Sequence, residues 1–204
     1  MKIIIVFKLL IISFVLISCS KSDDSKSSTT SLPASSSGVT ASGSITVGSD
    51  TLSGTYSTSC VNVSSISAKP TDTTHLSNVI VITGSSTFTR EVNYYTDSAC
   101  TSLSLGWYFN STNVVVGDAS GSDYKVAYTQ ANQTIMANTT AGETFIESFF
   151  GGSSVLDVTV GTAYVMTSGI PYYNMIKVSG TTLYMGSESP LAYPSTSEGS
   201  TLTK

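Results

Sequence analysis

Residues 103–110 read Leu-Ser-Leu-Gly-Trp-Tyr-Phe-Asn. The odd positions Leu103, Leu105, Trp107 and Phe109 are large and apolar, and Ser104, Gly106, Tyr108 and Asn110 alternate with them. Successive side chains of an extended chain point to opposite faces, so this period of two predicts a half-buried β-strand. The same texture recurs on either side. Phe88, Val92 and Tyr94 alternate with Thr87, Thr89, Glu91 and Asn93; Tyr124, Val126 and Tyr128 repeat the pattern, as do Leu183 and Met185. The run from Asn78 to Thr83, Asn-Val-Ile-Val-Ile-Thr, is apolar on both faces and reads as a central strand. Turn residues fall between these runs at Gly84-Ser85, Asn110-Ser111, the Gly117 to Gly121 loop and Ser179-Gly180. Strands joined by short turns predict an all-β fold, a single antiparallel meander curled into a half-barrel or barrel, with no βαβ units. One short helix is expected near residues 141–150. Thr140 would be its N-cap, Glu143 its capping-box partner, Gly151-Gly152 its stop, and Phe145, Ile146, Phe149 and Phe150 its apolar face.

Composition limits what such a domain does. Nine Lys plus Arg against thirteen Asp plus Glu give the 204-residue chain a net charge of −4, with no electrostatic footprint for nucleic acid. Charged residues are 11% and hydrophobic ones 40%, which excludes a long acidic disordered chain. The 39 Ser and 29 Thr are concentrated partly in the segment 20–44, which has no aromatic residue. That segment cannot bury enough apolar surface to offset the entropy of ordering, and it reads as a flexible tether. Residues 45–190 are expected to form the domain, and 191–204 a flexible tail.

The N-terminus carries an address. Lys2 and Lys8 precede an apolar run from Leu9 to Ile17, too short to span a bilayer, with Ser18 and Cys19 after it. Residues 1–18 thus have the layout of a signal peptide. Leu16-Ile17-Ser18-Cys19 resembles the lipobox of bacterial lipoproteins, which implies that Cys19 carries acyl chains and begins the mature protein. Losing Lys2 and Lys8 leaves seven cationic against thirteen acidic residues, a net −6. An acidic protein is not drawn to anionic headgroups, so its membrane partner would be reached through the lipid anchor. Ser20 after the modified cysteine resembles an outer-membrane sorting signal, and the expected location is the bacterial cell envelope.

With Cys19 lipidated, Cys60 and Cys100 remain in an exported chain, where a disulfide between them would persist; two buried thiols or a metal pair are the alternatives. Gly54-Thr55-Tyr56-Ser57-Thr58-Ser59-Cys60 and Tyr94-Tyr95-Thr96-Asp97-Ser98-Ala99-Cys100-Thr101 also carry a resemblance. They are similar to the G-T-W-x-S-x-x-C and Y-Y-x-D-x-x-C-T signatures of the repeated domain in a family of animal Wnt antagonists, named for down-regulation by the adenomatosis polyposis coli product. The resemblance covers residues 50–116 and a closing hairpin at 176–186, with Tyr56 standing where the family has Trp. It implies a lipocalin-like, strongly curved antiparallel sheet around an apolar cavity, and lipid as the ligand class. Here there is one such domain, not two.

Little in the sequence points to catalysis. The single histidine, His75, falls in a stretch that reads as a loop and is expected to be exposed, and no nucleophile elbow or phosphate-binding glycine loop is present. One His and two Cys are too few for a His/Cys metal site, so no metal, cofactor or enzyme activity is expected. Glu143 and Glu147 share a helix face, and Asp118 and Asp123 bracket a Gly-Ser loop; both read as solvated or turn-forming pairs. Arg90, the only arginine, falls on the apolar side of its strand. It would reach a carboxylate such as Asp97, meet a ligand headgroup, or snorkel near a strand end. Phe88, Arg90, Tyr94, Trp107, Phe109, Tyr124 and Tyr128 would line the concave side of a curled sheet, around a pocket or as the packed core of a small barrel. The expected function is a membrane-anchored binding module for an apolar or amphipathic ligand; the alternative is a surface adhesin or protein-interaction lipoprotein without an internal ligand.

Overall fold

The computed structural model describes residues 35–204. The signal-like segment 1–18, Cys19 and the tether up to residue 34 lie outside the described residues. Among the described residues are eleven strands and one helix: β1 (Ser44–Val47), β2 (Asp50–Ser53), β3 (Thr55–Ser57), β4 (Val61–Asn62), β5 (His75–Ile82), β6 (Phe88–Tyr95), β7 (Leu103–Ser120), β8 (Asp123–Ala137), α1 (Thr140–Phe150), β9 (Ala163–Ser179), β10 (Thr182–Met185) and β11 (Ser200–Thr203).

The all-β meander is present, and it closes. Strands β5 to β11 pair antiparallel in chain order, and β3 bonds both to β11, at Thr203 and Ser57, and to β5, giving an eight-stranded barrel. β4 prolongs the edge of β5 beyond β3. Closure pairs the first and last strands, which an open half-barrel would leave as edges. It depends on Ser200–Thr203, so the expectation of a flexible tail over 191–204 is corrected: Leu202 is buried in the barrel core and pairs with Leu183.

β7 runs through Asn110-Ser111, where the sequence suggested a turn. The structure places register shifts there and at two points further along the strand. Such bulges bend a strand sharply while keeping it paired, which lets two long strands wrap the barrel without breaking. Asn113 supplies one of them with φ +54°, a conformation that asparagine tolerates. The turn expected at Gly117 to Gly121 tightens to Gly121-Ser122, between β7 and β8.

α1 forms as expected but is capped one residue earlier, by Thr139, whose Oγ1 accepts from Gly142 N at 3.1 Å. Gly151 ends it with φ +104°. Gly142 lets it dock: a side chain there would come within 2.5 Å of the Ser104 carbonyl of β7. Ile146 is fully buried, and Phe145, Phe149 and Phe150 pack against the same cluster.

The barrel strands were expected to be half-buried; β6 and the first half of β7, Ser104 to Tyr108, are buried on both faces. The tether explains the difference. From Ser35 onward the N-terminal segment lies over the outer face of the β5–β6–β7 sheet, and Ser42 bonds to the carbonyls of Ile82 and Thr83. The boundary read at residue 44 therefore moves back to about Ser35. Cys60 and Cys100 form a disulfide with Cα atoms 6.0 Å apart, fastening the start of β4 to the β6–β7 turn. His75 opens β5 instead of sitting in a loop, and it is half-buried, with Nδ1 2.9 Å from Thr74 Oγ1.

Candidate functional site

The concave face divides into two apolar clusters. The first fills the closed barrel with Tyr56, Ile80, Ile82, Phe88, Val126, Tyr128, Ile176, Leu183, Met185 and Leu202. A separate hairpin, β1 paired with β2, inserts Ile45, Val47 and Leu52 into it as a plug. The void left among these side chains is about 20 Å³, room for about one water molecule. Leu105, Trp107, Ile135, Ala137, Ile146, Leu156 and Val158 make the second cluster, under α1.

All seven residues expected on the concave face belong to it, but they do not share one pocket. Phe88 and Tyr128 line the void, their rings 5.0 Å apart and edge to face. Tyr124 packs against the same cluster. Trp107 meets Phe109, Phe149 and Phe150 at centroid distances of 5.2, 5.2 and 5.9 Å, and Tyr94 meets Phe145 at 6.0 Å. The reading of these aromatics as packing is the one the geometry follows for Tyr94, Trp107 and Phe109. The helix supplies the rings that a ligand would otherwise meet.

Arg90 lies between the clusters: on β6, Phe88 belongs to the first and Tyr94 to the second. Its guanidinium sits 5.5 Å from the centroid of Phe109 and bonds to Glu188, which also accepts from the Tyr128 hydroxyl. Asp97, the partner suggested by the sequence, serves its own turn instead. It accepts from Ser102 N, from Ala99 N and from the Thr101 amide and hydroxyl, and the Ser102 and Thr101 bonds hold its carboxyl well below the usual carboxylate range. Burial, and next the Glu188 carboxylate, push the Tyr128 phenol well up. Asn174 lies close enough to Tyr128 to temper this, yet its buried Nδ2 meets no acceptor at bonding geometry.

A second polar constellation sits on the outer face. Glu91 is completely buried there. Its Oε1 accepts from the Ser35 and Ser37 hydroxyls, both at 2.6 Å, and its Oε2 from Ser36 N at 2.9 Å and Asn93 Nδ2 at 3.1 Å. Ser36 Oγ also donates to Asn93 Oδ1 and reaches the Tyr108 hydroxyl. The Tyr108 ring lies over Gly106, where a Cβ would come within 2.0 Å of the phenol oxygen.

The remaining pairs are structural. Glu147 accepts from Val158 N at 3.1 Å, which ties the loop after α1 back to the helix, and Asp123 accepts from Ser197 N at 2.8 Å. Among the described residues no group of three His, Cys, Asp or Glu side chains is placed to hold a metal ion, and no helix is long and apolar enough to cross a membrane. Sequence reasoning missed Glu188, Asn174 and Ser35 to Ser37. Glu188 and the serines fall in stretches whose composition reads as linker, and nothing local marks Asn174 as facing inward. It also missed an edge that is free among the described residues: there β10 pairs only with Ile176–Ser179 of β9, and Ser189 bridges Tyr173, so 163–172 pair only with β8. No protein-family model matches this chain, and no curated protein is significantly similar to it.

Proposed function

We propose that the chain is a lipid-anchored protein of the bacterial cell envelope, held at the outer membrane through Cys19, whose barrel works through its outer surface as a protein-interaction module. Support for the anchor comes from the run Leu16-Ile17-Ser18-Cys19 with Ser20 after it. The observation that carries the second half is the full interior. Pockets for small molecules enclose roughly 300–1,000 Å³, against about 20 Å³ here. The void beside the β1–β2 plug is far smaller than an apolar ligand enclosed by the barrel, the first expectation, would need, which favours the surface reading.

The described residues leave available the edge of β9 and, against α1, an open cleft of about 470 Å³ lined by Lys69, Thr71, Thr140, Thr144, Phe145 and Ser148; the uncharged strand edge is the surface that suits a protein partner. Residues 163–170, Ala-Tyr-Val-Met-Thr-Ser-Gly-Ile, carry no charge, and Tyr164 and Val165 are 38% and 61% exposed. A strand edge of this kind offers unpaired amides and carbonyls to an incoming strand, with alternate side chains setting specificity. Gly169 and Pro171 blunt only its far end. A photoreactive amino acid at Val165 of the full-length protein on intact cells tests the reading. A discrete adduct is expected at Val165 and none at Asp118, which is exposed on the β7–β8 hairpin. Equal labelling at both positions, or none at Val165, refutes it. Cys19→Ala should in parallel release the protein from the membrane fraction.

A further inference from the structure

Two side chains on two barrel strands, Arg90 and Tyr128, bond to a single carboxylate, and a third, Asn174, lies beside Tyr128. Arg90 comes from β6, Tyr128 from β8 and Asn174 from β9, whereas the carboxylate belongs to Glu188, in the loop that joins β10 to β11. A core that needed only filling would gain as much from an apolar pair, because an ion pair taken out of water must recover a large desolvation cost. This pair stands beside Phe88, Phe109 and Tyr172, whose ring stacks on Tyr128. Arginine presents parallel N–H groups that match a carboxylate, and the fully buried Asn174 Nδ2 is a further donor on the same wall, at hand and unmatched.

The donor set is built into the rigid barrel, and the acceptor is borne on a loop. From its Cβ outward the Glu188 side chain is chemically a propanoate. Next to it the loop is held to β9 by two backbone bonds, between Ser189 and Tyr173, of 2.8 and 3.1 Å. Arg90 and Glu188 are 17% and 19% exposed, so solvent reaches the site without removal of the β1–β2 plug. Tyr172 stands beside it on the barrel, and Leu191, three residues beyond Glu188 in the same loop, is exposed.

We infer that Arg90, Tyr128 and Asn174 form a binding site for the carboxylate of an amphiphilic acid, and that Glu188 occupies this site until such an acid displaces it, the apolar tail lying along the Tyr172 and Leu191 rim. The inference goes beyond the surface role and does not depend on it. A tethered competitor acts at an effective concentration of order millimolar. A bare short acid is therefore held off in the native protein, and a tail is what lets an acid compete.

The site carries its own reporter. Trp107, the only tryptophan, stacks at 5.2 Å on Phe109, which lies under Arg90. Trp107 emission and thermal stability are to be followed in the folded protein with propanoate, propanol, decanoate, decanol and a tripeptide bearing a free C-terminal carboxylate. Glu188→Ala should bind propanoate at least tenfold more tightly than the native protein does and ignore propanol; E188Q, which keeps the volume, serves if the alanine variant does not fold. The native protein should bind decanoate saturably, ignore decanol, and lose tenfold or more of its affinity in Arg90→Met. The inference is overturned if the native protein fails to bind decanoate, if R90M binds it equally well, or if acid and alcohol act alike. Tripeptide binding as tight as that of decanoate overturns the apolar-tail assignment.

Discussion

Replacing Ser35 and Ser37 together by alanine removes both hydroxyls that donate to Glu91 Oε1. Hydrogen bonds to a charged group contribute roughly 1.5–3 kcal/mol each, so a site that stayed closed and dry would lose about 3–6 kcal/mol. The loss has a ceiling, because the segment can let go and admit water to the carboxylate. Its other ties are Ser36 on Glu91 and Asn93, and Ser42 on the carbonyls of Ile82 and Thr83. We expect a net cost of about 3 kcal/mol, which in a domain of this size lowers the melting temperature by about 6–12 °C. Thermal denaturation followed at Trp107 measures it, and limited proteolysis should show cleavage between residues 35 and 43 that the native protein resists. The carboxylate is the cause on this account, so in a Glu91→Met background the same two changes should cost under about 1 kcal/mol. An unchanged melting temperature with unchanged protease resistance, or an equal loss when the carboxylate is already gone, refutes the reasoning.

Replacing Cys60 and Cys100 by serine frees a loop of 40 residues and should cost about 4 kcal/mol on the chain-entropy account, read as a lower urea midpoint. Ile146→Ala empties a fully buried position under the aromatic cluster and should cost about 2–5 kcal/mol, whereas Thr139→Ala, which removes the helix cap, should cost about 1 kcal/mol. Burial raises the phenols of Tyr94, Tyr95, Tyr108, Tyr128 and Tyr172. Above about pH 10 the unfolded chain releases these protons while the folded one keeps them, so stability should hold below that pH and fall above it. Tyr128 alone, the most deeply buried, contributes up to about 1.4 kcal/mol per pH unit. Denaturation midpoints between pH 8 and 11 that show no decline would contradict this.

Period two was enough to place β6, β7, β8 and β10, because a barrel wall needs one face apolar along its whole length. It was also enough to put Arg90 and the six concave aromatics on the same side. The same signal is silent about what covers a face. Trp107 and Phe109 look identical in sequence whether a ligand or the α1 phenylalanines pack on them, and the choice is made by contacts from residues 145 to 150. Ser104, Glu91 and Asn93 read as solvated because they are polar, yet their hydrogen-bonding capacity is what the serines of the tether and Asp72 satisfy. Polar composition also hid Ser200–Thr203, a strand recognisable only through its pairing with Thr182–Met185. Asn110-Ser111 shows the converse error: turn-prone residues also suit bulges, and the long β8 partner decided between them.

The joint between β11 and β3 bears on how the molecule is made. Its two sides lie at nearly opposite ends of the described chain, so the strand pairing most distant in sequence is the one that shuts the cylinder. Such a contact forms only after the rest has emerged, and its entropic cost falls late in folding. Export in extended form, which the proposed envelope location would entail, would meet that requirement, since nothing can shut before the trailing segment has passed. A bulky fusion at Lys204 would rest on the joint and hinder its formation, whereas one inserted at Gly121, on a hairpin tip with open space around it, would leave it untouched.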